Sequence, residues 1–231
     1  MSSLRNERAP RILAISVLVT ALLYAVPYGR MVAWPLVLVS TLAHELGHGL
    51  AAALLGGRFE SLRLHADASG VALWTGAFGR FATAAVAGAG LVGPAVAAFL
   101  LLVLGRTAGR ARVVVGGLGG GLIIVALFLV RNAFGLVFTL LLGSLLLLVA
   151  LRASRFSQTV GLLLAVQLAL SVFSRSDYLF TSMALTSSGP MPSDVAVMAG
   201  ALFLPYWVWG AVCGALSLGL LVLGGAIFFR R

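Results

Sequence analysis

Long apolar runs dominate this chain and restrict the folds that are open to it. A helix needs about 20 mainly apolar residues to cross the hydrocarbon core of a bilayer. Seven segments approach that length, and short arginine-bearing connections separate several of them. They cover residues 12–28, 34–55, 81–104, 113–130, 132–151, 156–173 and a part of 195–229. The sequence therefore predicts an all-α integral membrane protein with six or seven transmembrane helices.

Composition supports this class and argues against a nucleic-acid partner. Of the 231 residues, 61% are hydrophobic and only 10% are charged, whereas about a quarter of the residues in a soluble domain are charged. The 16 basic residues, all arginines, lie mainly at the ends of apolar runs, which is typical of contact with a lipid bilayer. No basic stripe interleaved with aromatic residues is present, so no nucleic acid is expected as a partner.

The chain has the organisation of one membrane domain. We interpret residues 1–11 as a basic N-terminal flank and residues 12–231 as a single polytopic domain. The first apolar run is longer than the core of a typical signal peptide, so we expect a retained helix.

One connection, at residues 57–76, is too long and too polar to be a simple turn. Polarity alternates over residues 59–65 and again over 71–75, and Asp, Ser and Gly lie between the two pieces. This pattern predicts a short β-hairpin between the second and third membrane helices. We expect the hairpin to lie at the membrane face.

Three ionisable side chains lie together inside the second apolar run, the helix predicted at residues 34–55. His44, Glu45 and His48 form the sequence H-E-x-x-H. Residues four apart share one helix face, with Cβ atoms about 5–6 Å apart, so two imidazoles can bind one zinc ion at about 2.0–2.1 Å. Ionisable groups inside a membrane are costly and usually mark a function. We therefore interpret the motif as a zinc site rather than as polar contacts between helices.

An H-E-x-x-H motif inside a transmembrane helix resembles the site-2 proteases, which are intramembrane zinc metalloproteases. The segment "AHELGHGLAAALLGGR" is similar to the family's pattern, and "AGAGLVGPAVAAFLL" resembles its Gly-Pro helix start. A B-like bacterial branch is the most similar, because "RN" precedes "FG" and a Ser-Asp pair precedes a last Trp-bearing span. In this chain those residues are Ser193 and Asp194, followed by Trp207 and Trp209. The similarity covers most of residues 37–215 and implies a multi-pass protein of a bacterial plasma membrane.

The resemblance implies a third zinc ligand, whose identity the sequence leaves open. Better-known members supply an Asp from an N-x-x-P-x-P-x-L-D-G segment, and no L-D-G occurs here. We assign the role to Asp194, with Asp177 as the alternative ligand. The competing roles are a helix N-cap for Asp194 and an ion pair with Arg175 for Asp177. His65 and Asp67 are weaker candidates.

The resemblance also implies the reaction. It predicts hydrolysis of a peptide bond in or near a transmembrane segment of a membrane protein substrate, with Glu45 as general base on a zinc-bound water. Arg131 and Asn132 would contact the oxyanion or the substrate, unless they serve a helix end. The hairpin would hold an unwound substrate by strand addition.

Two other functions stay open at this point. One is a non-catalytic zinc-binding relative that binds client helices, and the other, with less support, is a transporter. A metal carrier would need the two histidines but not a base beside them. The sequence specifies neither the substrate nor the oligomeric state.

Overall fold

The computed structural model describes residues 8–174, 179–186 and 189–230. In this part of the chain, eight α-helices and two β-hairpins follow one another. The helices are α1 Arg8–Ala25, α2 Gly29–Leu54, α3 Arg80–Gly105, α4 Ala108–Phe128, α5 Ala133–Arg152, α6 Ser157–Ser174, α7 Asp194–Leu202 and α8 Tyr206–Phe229. The strands are β1 Arg58–Leu64 and β2 Gly70–Thr75, between α2 and α3, and β3 Met183–Thr186 and β4 Gly189–Pro192, between α6 and α7.

Seven helices of the described chain are long and apolar enough to cross a membrane. The exception is α7, which has only 9 residues. Each of the seven corresponds to one apolar run of the sequence. The predicted fold class, a helical multi-pass membrane protein with a hairpin between the second and third membrane helices, is therefore confirmed.

The central helix α3 packs against α2, α6, α7 and α8. It begins at Arg80 and contains Pro94 in its interior, in agreement with the apolar run at residues 81–104. Small residues let α3 approach α2 closely, as expected for helices in membranes. A Cβ atom on Gly93 would lie 2.8 Å from the carbonyl oxygen of Ala43, and one on Gly47 would overlap the Ala89 carbonyl. This contact brings the H-E-x-x-H segment of α2 against α3.

The β1–β2 hairpin packs along α2. The Phe59 ring occupies the space beside Gly49, and near the hairpin turn the indole N–H of Trp34 donates to the Ala66 carbonyl at 2.9 Å. The hairpin therefore runs beside a candidate membrane span. Side-chain hydrogen bonds from α2 hold the turn in this position.

The connection between α4 and α5 covers the outer edge of β1. The Leu62 N–H donates to the Leu129 carbonyl at 2.8 Å, and the Arg131 N–H donates to the Leu62 carbonyl at 2.9 Å. The Asn132 side chain continues this pairing, because its Oδ1 accepts from the Leu64 N–H at 3.1 Å and its Nδ2 donates to the Leu64 carbonyl at 2.7 Å. The hairpin is thus fixed on the side away from β2.

A second hairpin, β3–β4, which the sequence did not predict, leads directly into α7. Ser193 joins the two, since its N–H donates to the Ser182 carbonyl at 3.1 Å and its hydroxyl donates to the Thr181 carbonyl at 2.6 Å. The same hydroxyl accepts from the Ala196 N–H. Ser193 is therefore the N-cap of α7, and the carboxylate of Asp194 is left for another role.

Candidate metal centre

His44, His48 and Asp194 converge on one point between α2 and the start of α7. The two Nε2 atoms are 3.1 Å apart, His44 Nε2 lies 3.1 Å from Asp194 Oδ2, and His48 Nε2 lies 3.3 Å from Asp194 Oδ1. Ligand atoms at two corners of a zinc tetrahedron with bonds of about 2.0–2.1 Å are about 3.3 Å apart. Within the described residues, no other three His, Cys, Asp or Glu side chains form such a cluster.

The orientation of His48 is set by α3. Its Nδ1 lies 2.9 Å from the carbonyl oxygen of Val86, and since a carbonyl only accepts, Nδ1 carries the proton. Nε2 is then left with a lone pair directed at His44 and Asp194, as in metal-binding histidines. A Cβ atom on Gly90 would overlap the His48 ring, so α3 also provides the space that the ring needs.

One oxygen of the Asp194 carboxylate makes no hydrogen bond. Its Oδ2 is buried without a hydrogen bond, although His44 Nε2 is only 3.1 Å away. With the proton of His48 on Nδ1, its Nε2 has none to donate to the other oxygen, Oδ1, at 3.3 Å.

These observations fit a metal ion. A buried carboxylate oxygen without a hydrogen bond is costly, and a cation between the three side chains removes that cost. Two imidazole nitrogens and one carboxylate oxygen form the ligand set of many catalytic zinc sites. The residues present therefore fit one zinc ion.

Two of the other candidate ligands lie at a hairpin turn. Asp177 lies outside the described residues. His65 and Asp67 are at the turn of the β1–β2 hairpin and are not part of the cluster. There the hydroxyl and the N–H of Ser69 donate to Asp67 at 2.6 and 2.9 Å, and both bonds hold the pKa of that carboxyl below its ordinary value.

Arg131 and Asn132 contact backbone groups. The Arg131 guanidinium donates to the carbonyls of Phe128 at 2.5 Å and Val130 at 3.2 Å, which belong to the end of α4 and its connection. The Asn132 amide accepts from the Leu64 N–H and donates to the Leu64 carbonyl. Neither residue lines the two cavities beside the cluster.

Glu45 lies between these two cavities. It is only 6% exposed and packs against β2, where a Cβ atom on Gly70 would lie 2.7 Å from Glu45 Cγ. One cavity, of about 140 Å³, also borders the three cluster residues. The other, of about 100 Å³, has room for a few water molecules. Its lining includes the hydroxyl groups of Ser40, Thr41, Ser69, Ser171 and Ser217.

The strand β2 forms one wall of the larger cavity and has an unpaired edge. Because Leu62 and Leu64 direct their backbone groups away from β2, Arg63 between them makes the hydrogen bonds to β2. In that register Arg63 is opposite Val71, so the N–H and C=O groups of Gly70 and Ala72 point to the outer edge. In the described structure no strand pairs with this edge.

The opposite wall includes Met191 and Pro192 of β4. Since Ser193 bonds inward to Ser182, strand alternation directs the nitrogen atoms of Pro190 and Pro192 outward. Proline has no N–H, and prolines at alternate positions remove the donors of a strand edge. The outer edge of β4 therefore cannot pair with an added strand as β2 can.

Several of these features were not found from the sequence. The Val86 carbonyl, the space at Gly90 and the glycine of β2 at Gly70 depend on contacts between distant segments. The only available signal was the run of small residues "AGAGLVG", which is typical of close helix packing but does not identify a partner.

The chain matches the Peptidase M50B-like family over residues 14–224. No curated protein and no solved structure matches it. The family match includes α2, the β1–β2 hairpin and Asp194, and it covers nearly the whole chain. This protein therefore belongs to the Peptidase M50B-like family, which confirms the resemblance to the site-2 proteases and makes it a multi-pass membrane metallopeptidase.

Proposed function

We propose that this protein is an intramembrane zinc metalloprotease that cleaves a peptide bond in or near a transmembrane segment of another membrane protein. The convergence of His44, His48 and Asp194 beside Glu45 carries the proposal. All but Asp194 lie on a helix long enough to cross a membrane. Family membership supports peptide hydrolysis, and the ligand chemistry supports zinc.

The residues around the cluster have complementary roles. A zinc ion, when bound by the three ligands, supplies a Lewis acid that polarises a carbonyl and acidifies water. Glu45 accepts a proton from the attacking water at its carboxylate and then donates it to the leaving amine. Its burial keeps bulk solvent away, and the hydroxyl-lined cavity on its other side holds water for the reaction. Val86 keeps His48 in the ligating tautomer throughout.

The substrate is held as an extended strand. A helical substrate must unwind before cleavage, because its carbonyl groups are engaged in hydrogen bonds along the helix. The outward N–H and C=O groups of Gly70 and Ala72 support pairing with the unwound segment by strand addition. Because Pro190 and Pro192 remove the donors from the outer edge of β4, they support pairing of the substrate with β2 and not with β4. The scissile bond is thereby placed beside Glu45, which packs on Gly70.

We assign Arg131 and Asn132 to the positioning of β1. Both make backbone contacts that fix the hairpin, and a shift of β1 would move β2 with it. Since Asn132 bonds both backbone groups of Leu64 and lines neither cavity beside the cluster, we assign it to β1 and not to an oxyanion.

A non-catalytic zinc-binding relative or a transporter would account for the position of Glu45 less well than a protease does. Metal binding alone requires the three ligands, but not a buried carboxylate between the cluster and a polar cavity. A bacterial plasma membrane as the location rests on the resemblance alone.

The proposal is tested with the purified protein in liposomes that also contain a single-span test substrate. We expect two product fragments by mass spectrometry, none after removal of metal with a chelator, and recovery when zinc is added back. Cleavage by protein shown to be free of metal would contradict the proposal.

A further inference from the structure

A second pocket lies where α3 begins and α7 ends, and it shares no lining residue with the two cavities beside Glu45. It has a mouth of about 250 Å³ that includes Arg80 and Phe203, and a groove of about 400 Å³ between α3 and α8. Phe81, Leu202 and Trp209 line both parts and connect them. We propose that this pocket binds one membrane phospholipid, with its phosphate at Arg80 and an acyl chain in the groove.

Arg80 is held in place but keeps hydrogen-bond donors for a ligand. Its Nε donates to the Ala201 carbonyl at 2.7 Å, and its guanidinium carbon lies 3.6 Å from the centre of the Phe203 ring. Among the described residues no carboxylate pairs with it. Guanidinium has five N–H donors, so its terminal nitrogens remain for two oxygens of a phosphate, a geometry that arginine favours.

The support beneath Arg80 involves an unusual backbone conformation. Phe203, the C-cap of α7, has φ 66°, which is uncommon for a residue other than glycine and carries a steric cost. Its ring is 79% exposed and stacks on the guanidinium instead of packing in the core. The left-handed residue ends α7 and leaves its exposed ring beneath the guanidinium.

The groove has the properties required by a hydrocarbon chain. Its volume lies in the range of small-molecule sites, and its walls are almost entirely apolar. Small side chains on α3 leave the space open. These small residues are Ala84, Ala85, Gly88 and Ala89.

The order of chemistry along the pocket favours a phospholipid over a protein helix. Arg80 lies at the mouth, and the apolar groove continues from it past Trp209. A phospholipid has the same order of chemistry, a charged phosphate followed by hydrocarbon chains. A transmembrane helix would supply no free acceptor, because its carbonyls are already bonded, and it would cover Arg80 without a counter-charge.

Occupancy would also stabilise α7. Arg80 contacts the last turn of this helix through Ala201, and Asp194 is its first residue. A phosphate that holds Arg80 therefore steadies the helix that carries one cluster residue. The lipid proposal itself does not depend on catalysis.

The test is native mass spectrometry of the full chain in detergent, titrated with phosphatidylglycerol. Two truncated ligands separate the parts of the site, namely diacylglycerol, which lacks the phosphate, and glycerol phosphate, which lacks the chains. We expect one phospholipid to bind about tenfold more tightly than either, a difference of the size expected for one charge-assisted contact. The proposal would be overturned if diacylglycerol bound as tightly as phosphatidylglycerol. It would also be overturned if the spectra showed a second copy of the protein bound in place of lipid.

Variants assign the binding to this pocket. Arg80→Gln is expected to weaken phospholipid binding about tenfold, whereas Arg152→Gln, a matched change in the last turn of α5, should leave it unchanged. Because Arg80→Gln could unfold α7, Ala85→Phe serves as a second probe, since it fills the groove from an exposed position. Unchanged lipid binding in either pocket variant would also overturn the proposal.

Discussion

The Nδ1 atom of His48 lies 2.9 Å from the carbonyl oxygen of Val86 on α3. This contact determines which nitrogen of the ring is protonated, and so directs the lone pair of Nε2 at His44 and Asp194. Because the acceptor is a backbone carbonyl, no side-chain substitution at Val86 removes it directly. The position of α3 is therefore part of the metal site.

The space at Gly90 gives the first prediction. A Cβ atom there would overlap the His48 imidazole, so Gly90→Ala should displace the ring and lower zinc affinity about 10–100-fold. Gly88→Ala is the matched control, since its nearest neighbour would be the end of the Met198 side chain at 3.3 Å. Zinc per chain is measured after dialysis against a competing chelator. Equal zinc retention in the two variants would show that Gly90 is not needed for the site.

The third ligand is tested by two aspartate variants. Asp194→Ala should lose zinc, because the cluster then keeps only its two histidines. Asp177→Ala should retain one zinc per chain. The assay is the same dialysis and metal analysis, with circular dichroism to show that both variants are folded. Loss of zinc in Asp177→Ala alone would reverse our assignment.

The free edge of β2 is tested at Ala72. Ala72→Pro removes an outward N–H without removing a bond to β1, so substrate pairing should weaken while zinc content is unchanged. We expect a higher KM, or a fall of about tenfold in kcat/KM, as for the loss of a hydrogen bond with some strain. Ala72→Ser keeps the N–H and should behave as wild type. Normal cleavage by Ala72→Pro would argue against strand addition at this edge.

Measurements of stability and of cleavage rate distinguish two roles for Asn132, the positioning of β1 and contact with the oxyanion. Its amide pairs with both backbone groups of Leu64, so Asn132→Ala should lower the free energy of unfolding by about 1–3 kcal/mol. Thermal unfolding in detergent measures this effect. If stability were unchanged while kcat fell with zinc still bound, Asn132 would instead act on the oxyanion, as the sequence had allowed.

Local features were predictable from the sequence because their cause is local. The seven spans follow from apolar length, and the β1–β2 hairpin from alternating polarity. The convergence of His44 and His48 follows from helix periodicity. Each of these depends on neighbours within a few residues or a single element.

Features that join distant segments were not predictable in the same way. Asp194 is far from His44 in sequence, and nothing in spacing distinguishes it from Asp177. The β3–β4 hairpin is short and contains two prolines, a composition that is typical of a loop. The orientation of the free edge of β2 depends on Leu62 and Leu64, whose partners lie beyond α4.

The central claim is that Glu45 performs chemistry on a metal site that it does not help to hold. The most direct measurement compares wild type with Glu45→Gln in liposomes containing the single-span substrate, with zinc content and cleavage rate determined on the same samples. We predict one zinc per chain in both proteins and a loss of cleavage of at least about 10²–10⁴-fold in the variant. Zinc-loaded Glu45→Gln that cleaves at the wild-type rate would contradict the account.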